Sequence, residues 1–355
     1  MMETHGVKYI GSKRSLLPYI LEAAAGLPVG RMIDVFTGTT RVAQAFRKQG
    51  WTVCAGDLSW ASEAYAALFL MTTPEDLPVL TSLVAELNAL EGVEDWITRS
   101  YCDVQGAEGG IVRVWKPKNG RRADAIRNKI AEWESNNRID PTMALRLTAI
   151  LILALDSVDS TVGVQQAYLK DWAKRADNDL RLVIPDGIAQ GPVGDFRPGS
   201  CLEGPYPSST VAYLDPPYSS HSYATYYHIW DSITRWDKPD VCLKTNRRKD
   251  RTAEHFDTTM KSPWNSKKEA LSAFETLLKR LPVQTILLSY SNESLLSLED
   301  LRPLLESFPS YEVREIDYKR NIMSHIGNAT LYDTPRESNN IEYLIVISVP
   351  PRPGA

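Results

Sequence analysis

The segment RMIDVFTGTTRVAQAFRKQGWTVCAGD, residues 31–57, leaves this chain few folds to choose from. RMIDVF (31–36) is a short apolar run that stops at Thr37-Gly38, the pattern of a buried strand entering a turn. TRVAQAFRKQG then sets Val42, Ala45 and Phe46 at helical spacing and ends on Gly50, a helix stop. WTVCAGD (51–57) is a second strand and ends on an acid, and SEAYAALFLM (62–71) is a second helix. Strand, helix, strand, helix predicts a parallel sheet with helical crossovers.

The middle of the chain reads as helical, over LTSLVAELNAL (80–90), RADAIRNKIAEWESN (122–136) and MALRLTAILILALDSV (143–158). The last carries Arg146 and Asp156 and falls short of the ~20 apolar residues that span a bilayer, so a buried core helix is expected. CDVQGAEGGIVRVWKPKNGRR (102–122) is glycine-rich and polar and predicts a loop. Sheet character resumes with VAYLD (211–215) and QTILLSYSN (284–292) and ends with YEVREIDYKR (311–320) and NIEYLIVISV (340–349). KKEALSAFETLLKRL (267–281) and LEDLRPLLESF (298–308) are helices between them.

A hydrophobic content of 43% and a charged content of 24% are ordinary for a globular chain of 355 residues. The first residues, MMETHGVKYIGSKR, lack the apolar core of a signal peptide, which predicts a cytoplasmic protein. Cys54, Cys102, Cys201 and Cys242 form no CxxC pair, and His5, His221, His228, His255 and His325 are scattered, so neither a disulfide framework nor a metal site is expected. The net charge of −4 hides two basic stretches. VRVWKPKNGRRADAIRNK (112–129) holds Arg113, Lys116, Lys118, Arg121, Arg122, Arg127 and Lys129, and LKTNRRKDR (243–251) holds Lys244, Arg247, Arg248, Lys249 and Arg251. A protein that binds nucleic acid through one face needs such clusters, although a charge run is more often a solvated face.

Chemistry concentrates at two places. In the first strand–turn–helix–strand unit, the turn glycine lets backbone approach a ligand, and the acid ending the next strand accepts hydrogen bonds from ribose hydroxyls. Gly38 and Asp57 stand there, but FTGTTR is not the GxGxxG of a dinucleotide site. That suits an adenosine-type cofactor with no pyrophosphate to cradle. The second place is DPPY, Asp215 to Tyr218, directly after a buried strand. An exocyclic amine on a nucleobase is a poor nucleophile because its lone pair is delocalised into the ring. Two acceptors aimed at its N–H bonds, the Asp215 carboxylate and the Pro216 carbonyl, would draw it toward tetrahedral geometry. Pro216 and Pro217 fix φ and remove competing donors, and Tyr218 offers a face for an extruded base.

With these motifs in place, the chain resembles the adenine-specific (N6) DNA methyltransferases that use S-adenosylmethionine, in the subgroup ordered cofactor motif, target region, DPPY. The likeness runs from KYIGSKRSLLPYI (8–20) to EYLIVI (342–347). It implies a Rossmann-like α/β methyltransferase fold, with a mixed, mainly parallel sheet, flanking helices and a largely helical target-recognition insertion. KYIGSK implies Tyr9 and Lys13 near the methionine part of the cofactor. DVFTGTTRVA resembles the motif written around FxGxG, through Asp34, Phe36 and Gly38, with Thr40 replacing the second glycine. Asp57 matches the ribose acid, and GDFRPGS (194–200) implies Asp195 bonded to the cofactor adenine with Phe196 against its ring. SYATYYHIW (222–230) resembles the aromatic helix after DPPY, where Tyr223 or Tyr227 is the expected second contact to the base. RRADAIRNKIAEW and DSTVGVQQAYLKDW also resemble stretches of the subgroup, without residue roles to carry over.

The resemblance divides the chain into 1–80 with the cofactor motifs, a helical insertion over 81–190, and 191–355 with DPPY and a basic DNA-contacting loop near 240–266. It makes Lys116, Lys118, Arg121, Arg122, Arg247, Arg248, Lys249 and Arg251 expected DNA contacts. The implied partner is double-stranded DNA, with a cognate restriction endonuclease possible and a monomer favoured. Attack by cytosine N4 poses the same amine problem and stays open on the residues alone, although Asp at the first DPPY position and the motif order favour adenine. RNA or a protein amide as substrate, or a binding protein that lost catalysis, fits less well.

Overall fold

The computed structural model describes residues 3–9, 11–105, 111–164, 171–220, 222–242, 245–252, 261–318 and 340–350. The N-terminal part runs α1 (Leu17–Ala24), β1 (Arg31–Asp34), α2 (Arg41–Lys48), β2 (Thr52–Asp57) and α3 (Trp60–Phe69). The middle holds α4 (Leu77–Asn88), α5 (Trp96–Tyr101), β3 (Cys102–Gln105), β4 (Ile111–Arg113), α6 (Pro117–Ser135) and α7 (Pro141–Ser157). The chain then returns through β5 (Asp195–Pro198), β6 (Ser209–Leu214), α8 (Tyr223–Tyr226), α9 (His228–Arg235), β7 (Val241–Cys242) and β8 (Arg247–Arg248). It closes with α10 (Lys267–Arg280), β9 (Val283–Ser291), α11 (Leu298–Leu305), β10 (Ser310–Tyr318) and β11 (Asn340–Ser348).

Seven strands form one sheet in the order β10-β11-β9-β6-β1-β2-β5. All neighbours from β9 to β5 are parallel, and β11 and β10 are antiparallel. The parallel sheet expected from residues 31–71 is therefore present, with two antiparallel strands at one edge. β1 pairs with β2 on one side and with β6 on the other, so the order reverses at β1. In an open α/β sheet, such a reversal leaves a crevice at the carboxyl ends of the strands.

The alternation of side chains along each strand fills two layers. Met32, Val53, Val211 and Tyr213 face α1 and α2, where Phe46 and Trp51 pack. Ile33, Ala212, Leu214 and Ile286 face α10 and α11, against Phe274, Leu277 and Leu301. A third core joins α3 to the middle helices through Tyr65, Leu68, Leu147, Ile150, Leu151 and Leu155. α7 is thus a buried helix of the body, and no helix among the described residues is long and apolar enough to cross a membrane.

Residues 102–122 depart from the expected loop. They contain the β3–β4 hairpin and the first turn of α6, which opens with Pro117 just after Lys116. Val112, Val114 and Trp115 are buried and supply the apolar anchor, and proline at the first helical position costs no hydrogen bond. The glycines that suggest a loop, Gly106, Gly109 and Gly110, lie outside the described residues.

Candidate active site

A cavity of about 270 Å³ opens at the carboxyl ends of β1, β2 and β6. Its walls carry Tyr9, Lys13, Asp34, Phe36, Gly38, Asp57 and the whole DPPY segment. Residues more than 200 positions apart in the sequence meet here because the parallel strands end together.

The β1–α2 turn is built on the left-handed backbone of Gly38, at φ +49°. A Cβ there would meet the Tyr9 ring at an ordinary 3.6 Å, so the positive φ rather than crowding favours glycine. Thr40, standing where the motif has glycine, also takes a left-handed conformation, at φ +61°. Its hydroxyl donates to the Thr39 carbonyl (2.7 Å) and accepts from Gln44 Nε2 (3.0 Å), which holds a backbone that β-branched residues disfavour. Asp57 accepts the Gly38 amide at 2.8 Å and the Ser59 amide at 2.9 Å. Burial pushes its carboxyl up, and those amides hold it back. Asp34 is pushed up to about 7 by burial, against the Thr37 hydroxyl that donates to it at 2.9 Å. Among the described residues, its other oxygen, Oδ1, is buried without a hydrogen-bond partner.

Asp215 follows β6 directly, and Lys13 meets it. Lys13 Nζ lies 3.1 Å from Asp215 Oδ1 and 3.9 Å from Glu342 Oε2, with the lysine side chain only 5% exposed. The same ammonium stands 4.5 Å from the centre of the Tyr218 ring. Tyr218 donates its hydroxyl to Glu342 Oε2 at 3.2 Å and packs edge-on against Tyr290. Burial pushes the Asp215 carboxyl up, and Lys13 and the Tyr218 hydroxyl oppose that shift. The DPPY backbone is anchored beyond the strand: the Leu295 amide donates to the Tyr218 carbonyl (3.0 Å), and Asn265 Nδ2 donates to the Ser219 carbonyl (2.8 Å).

Tyr9, Tyr223 and Tyr227 come together as one aromatic cluster, with centroids 4.4 Å apart for Tyr9–Tyr227 and 5.5 Å for Tyr9–Tyr223. Tyr227 is buried, and Tyr223 stays half-buried at the cavity wall. Three residues with no role read from the sequence complete the site. Asp231 on α9 accepts from Ser59 Oγ (2.7 Å) and the Ala61 amide (3.1 Å), tying the aromatic helix to the start of α3. Trp264 packs edge-on against Phe36 at 5.1 Å. Glu342 reaches in from β11. An acid inside the apolar run of α9 was the available signal for Asp231. Glu342 carried none, because only sheet pairing brings β11 near β6.

Asp195 and Phe196 are not among the cavity-lining residues. β5 pairs Pro198 with Asp57, so its carboxyl end lies at 198–199. Asp195 therefore sits three residues, about 10 Å, back along the strand; it is exposed and 4.0 Å from Arg31. Gly199, Ser200 and Cys201 form that wall instead.

The model of the D12 class N6 adenine-specific DNA methyltransferase family matches residues 9–303. The chain belongs to this family. Modification methylase StsI of Streptococcus sanguinis is 28% identical over 344 residues, covering 92% of this chain and 51% of that protein. Type II methyltransferase M.NlaIII of Neisseria lactamica is 28% identical over 322 residues, covering 88% of this chain and 92% of that protein. M.FokI of Planomicrobium okeanokoites is 28% identical over 344 residues, 91% of this chain and 51% of that protein. The chain thus spans about half the length of StsI and M.FokI and most of M.NlaIII.

For a D12 family member, the basic stretches matter, and they divide by burial. Arg248 is 4% exposed and bonded to Asp237 (2.8 Å), Asp250 (2.6 Å) and Ser232 (3.0 Å). Arg251 is also buried, near the Trp60 ring. Arg122 donates to the carbonyls of Asn88 and Leu90. Arg248 and Arg251 serve the interior, a correction to their expected place on a DNA surface, and Arg122 is half-buried with its guanidinium engaged at the end of α4. Lys249, 55% exposed, pairs with Asp240. Lys116, Lys118 and Arg121 pair with Asp177, Asp179 and Glu94 at the surface. Exposed pairs of this kind are worth at most ~1 kcal/mol and exchange readily for a phosphate. Arg247 lies half-buried in β8.

Proposed function

We propose that this chain transfers a methyl group from S-adenosylmethionine to N6 of an adenine in a specific sequence of double-stranded DNA, after the base has left the duplex. The observation that carries this function is the meeting of Asp215 and Tyr218 with Gly38 and Asp57 in one cavity. The family description favours adenine N6 over the cytosine N4 that the residues alone leave open.

The cavity suits the cofactor. Five carboxylic acids (Asp34, Asp57, Glu203, Asp215, Asp231) line it against three cationic side chains (Lys13, Arg41, Lys261), which favours a ligand carrying a sulfonium and an ammonium. The unpartnered Asp34 Oδ1 is an acceptor in want of a donor. Asp57 stands at the cavity wall, where its carboxylate, held by the Gly38 and Ser59 amides, is an acceptor placed for ribose hydroxyls. When bound, S-adenosylmethionine supplies an electrophilic methyl group. Asp215 and the Pro216 carbonyl accept from the two N–H bonds of the target amine, and these bonds strengthen as charge develops on nitrogen. The tyrosines at the wall provide stacking faces.

The helical segment 81–190 serves as the target-recognition region, and Lys116, Lys118, Arg121 and Lys249 make phosphate contacts. Modification of one specific sequence would protect that sequence from a cognate restriction endonuclease. The test is sequencing, with modified bases called, of DNA from a methylation-free host expressing the chain. N6-methyladenine in one sequence context is expected, and unmodified adenine throughout would refute the function.

Two further expectations follow from the site. Asp57→Ala weakens S-adenosylmethionine binding about tenfold or more, since a carboxylate hydrogen bond contributes ~1.5–3 kcal/mol; titration calorimetry measures this, and an unchanged Kd removes Asp57 from the ribose site. Lys249→Ala lowers the salt slope of DNA binding by about 1 without changing sequence preference. Arg248→Ala, by contrast, lowers the unfolding midpoint because it leaves Asp237 and Asp250 without their buried partner. Equal salt slopes for Lys249→Ala and the parent chain would take Lys249 off the DNA surface.

A further inference from the structure

Lys13 occupies both places that the target adenine needs. Its ammonium pairs with the oxygen of Asp215 at 3.1 Å and covers one face of the Tyr218 ring at 4.5 Å. An extruded adenine that bonds to Asp215 and stacks on that face must displace it. A buried ammonium cannot simply lose its partner, because an unpaired charge in a dry site costs several kcal/mol. Among the described residues, one other carboxylate lies within ion-pair reach, Glu342 at 3.9 Å.

We infer that Glu342 is a positioning residue for methyl transfer: it receives Lys13 when the target amine takes over Asp215. The inference rests on the role of Asp215 given above. The sheet sets the spacing. β6 delivers Asp215, β9 pairs with β6, and β11 pairs with β9 through Glu342 opposite Ser291. Glu342 is therefore fixed on a strand while Lys13 swings on a flexible stem. The Tyr218 hydroxyl donates to the same Glu342 oxygen, Oε2, which orients that carboxylate toward the ring Lys13 now covers. In the free chain Lys13 bridges toward both acids. With a base bound, its full pairing passes to Glu342, and Asp215 turns its freed oxygen to the amine. No covalent step is added; the device exchanges one ion pair for another.

Glu342→Gln tests this. Glutamine keeps the shape and the acceptor for Tyr218 Oη but removes the charge. The probe is a duplex carrying the methylated sequence, with 2-aminopurine in place of the target adenine to report unstacking. A parallel duplex with adenine is used for single-turnover transfer. E342Q is expected to lower the transfer rate constant about tenfold, the worth of one charge-assisted contact, and to lower the unstacking signal. The Kd for duplex and for S-adenosylmethionine should stay at the parent values. In a Lys13→Met background, adding E342Q should cost nothing further, because no ammonium remains to be received. A parent-like rate for E342Q, or the same loss on adding it to Lys13→Met, overturns the inference. If Asp215→Ala keeps its activity, the role of Asp215 itself fails; if that variant is inactive and E342Q is not, the role of Glu342 alone fails.

Discussion

Asp215→Ala lowers the rate of methyl transfer by on the order of 10³-fold. On the proposed function, the substitution removes one of two acceptors for the target amine, in a cavity where burial strengthens every such bond. It leaves the Gly38–Asp57 end of the cavity and the exposed basic residues untouched. Labelled S-adenosylmethionine with the recognised duplex reads the rate, and equilibrium titrations read the two dissociation constants. The expected split is a collapsed rate with both constants within about threefold of the parent, the mark of an interaction made mainly in the transition state. Lys13 retains Glu342 as a partner in this variant, so the fold should tolerate it. Transfer at a rate near the parent's would show that the amine is activated elsewhere.

Arg47→Ala lowers the stability of the fold by on the order of 4 kcal/mol, the range of a broken buried network. Arg47 is 2% exposed and, among the described residues, has no carboxylate partner. Its guanidinium donates instead to backbone carbonyls: Pro192, Phe69, Ile188 and Thr72, each at 2.7 Å, and Gly191 at 3.4 Å. It thereby staples α2 to the end of α3 and to the strap that leads into β5. Gly191 allows the strap to come this close: at φ +90°, its missing Cβ would stand 2.2 Å from the Arg47 carbonyl oxygen. Burial pulls the guanidinium down to about 10, so it remains charged at neutral pH. Lysine restores little, because a single ammonium cannot span the fork. Denaturant unfolding measures the loss, and a change below about 1 kcal/mol would mean that water replaces these bonds freely.

The local order of elements was legible because it rests on periodicity. Residues 31–57 alternate between buried strand and amphipathic helix, and β1, α2 and β2 lie within a few residues of the expected bounds. DPPY stood out in the sequence because its residue types suit one chemistry, and the segment lines the cavity. That Asp195 and Phe196 stand back from the cavity wall was not legible, because a strand's register, and hence which residue stands at its carboxyl end, depends on its neighbour. The β3–β4 hairpin was missed because two strands of four and three residues are too short to show a period.

The charges divide most sharply between what sequence and fold decide. From sequence alone, Arg248 and Lys249 are adjacent members of one basic run. In the fold, one is sealed between Asp237 and Asp250, and the other stands in solvent. Arg47 reads as an ordinary helix cation until five carbonyls from two separate segments, 69–72 and 188–192, close around it. Local spacing and residue chemistry were enough to reach the α/β class and to single out the Gly38 turn and the DPPY tetrapeptide as candidates for the site. Tertiary structure alone decided which cations serve the interior, which residues stand at the strand ends, and that Lys13 and Glu342 share the site with Asp215. Those depend on distances between segments far apart along the chain, which no local pattern encodes.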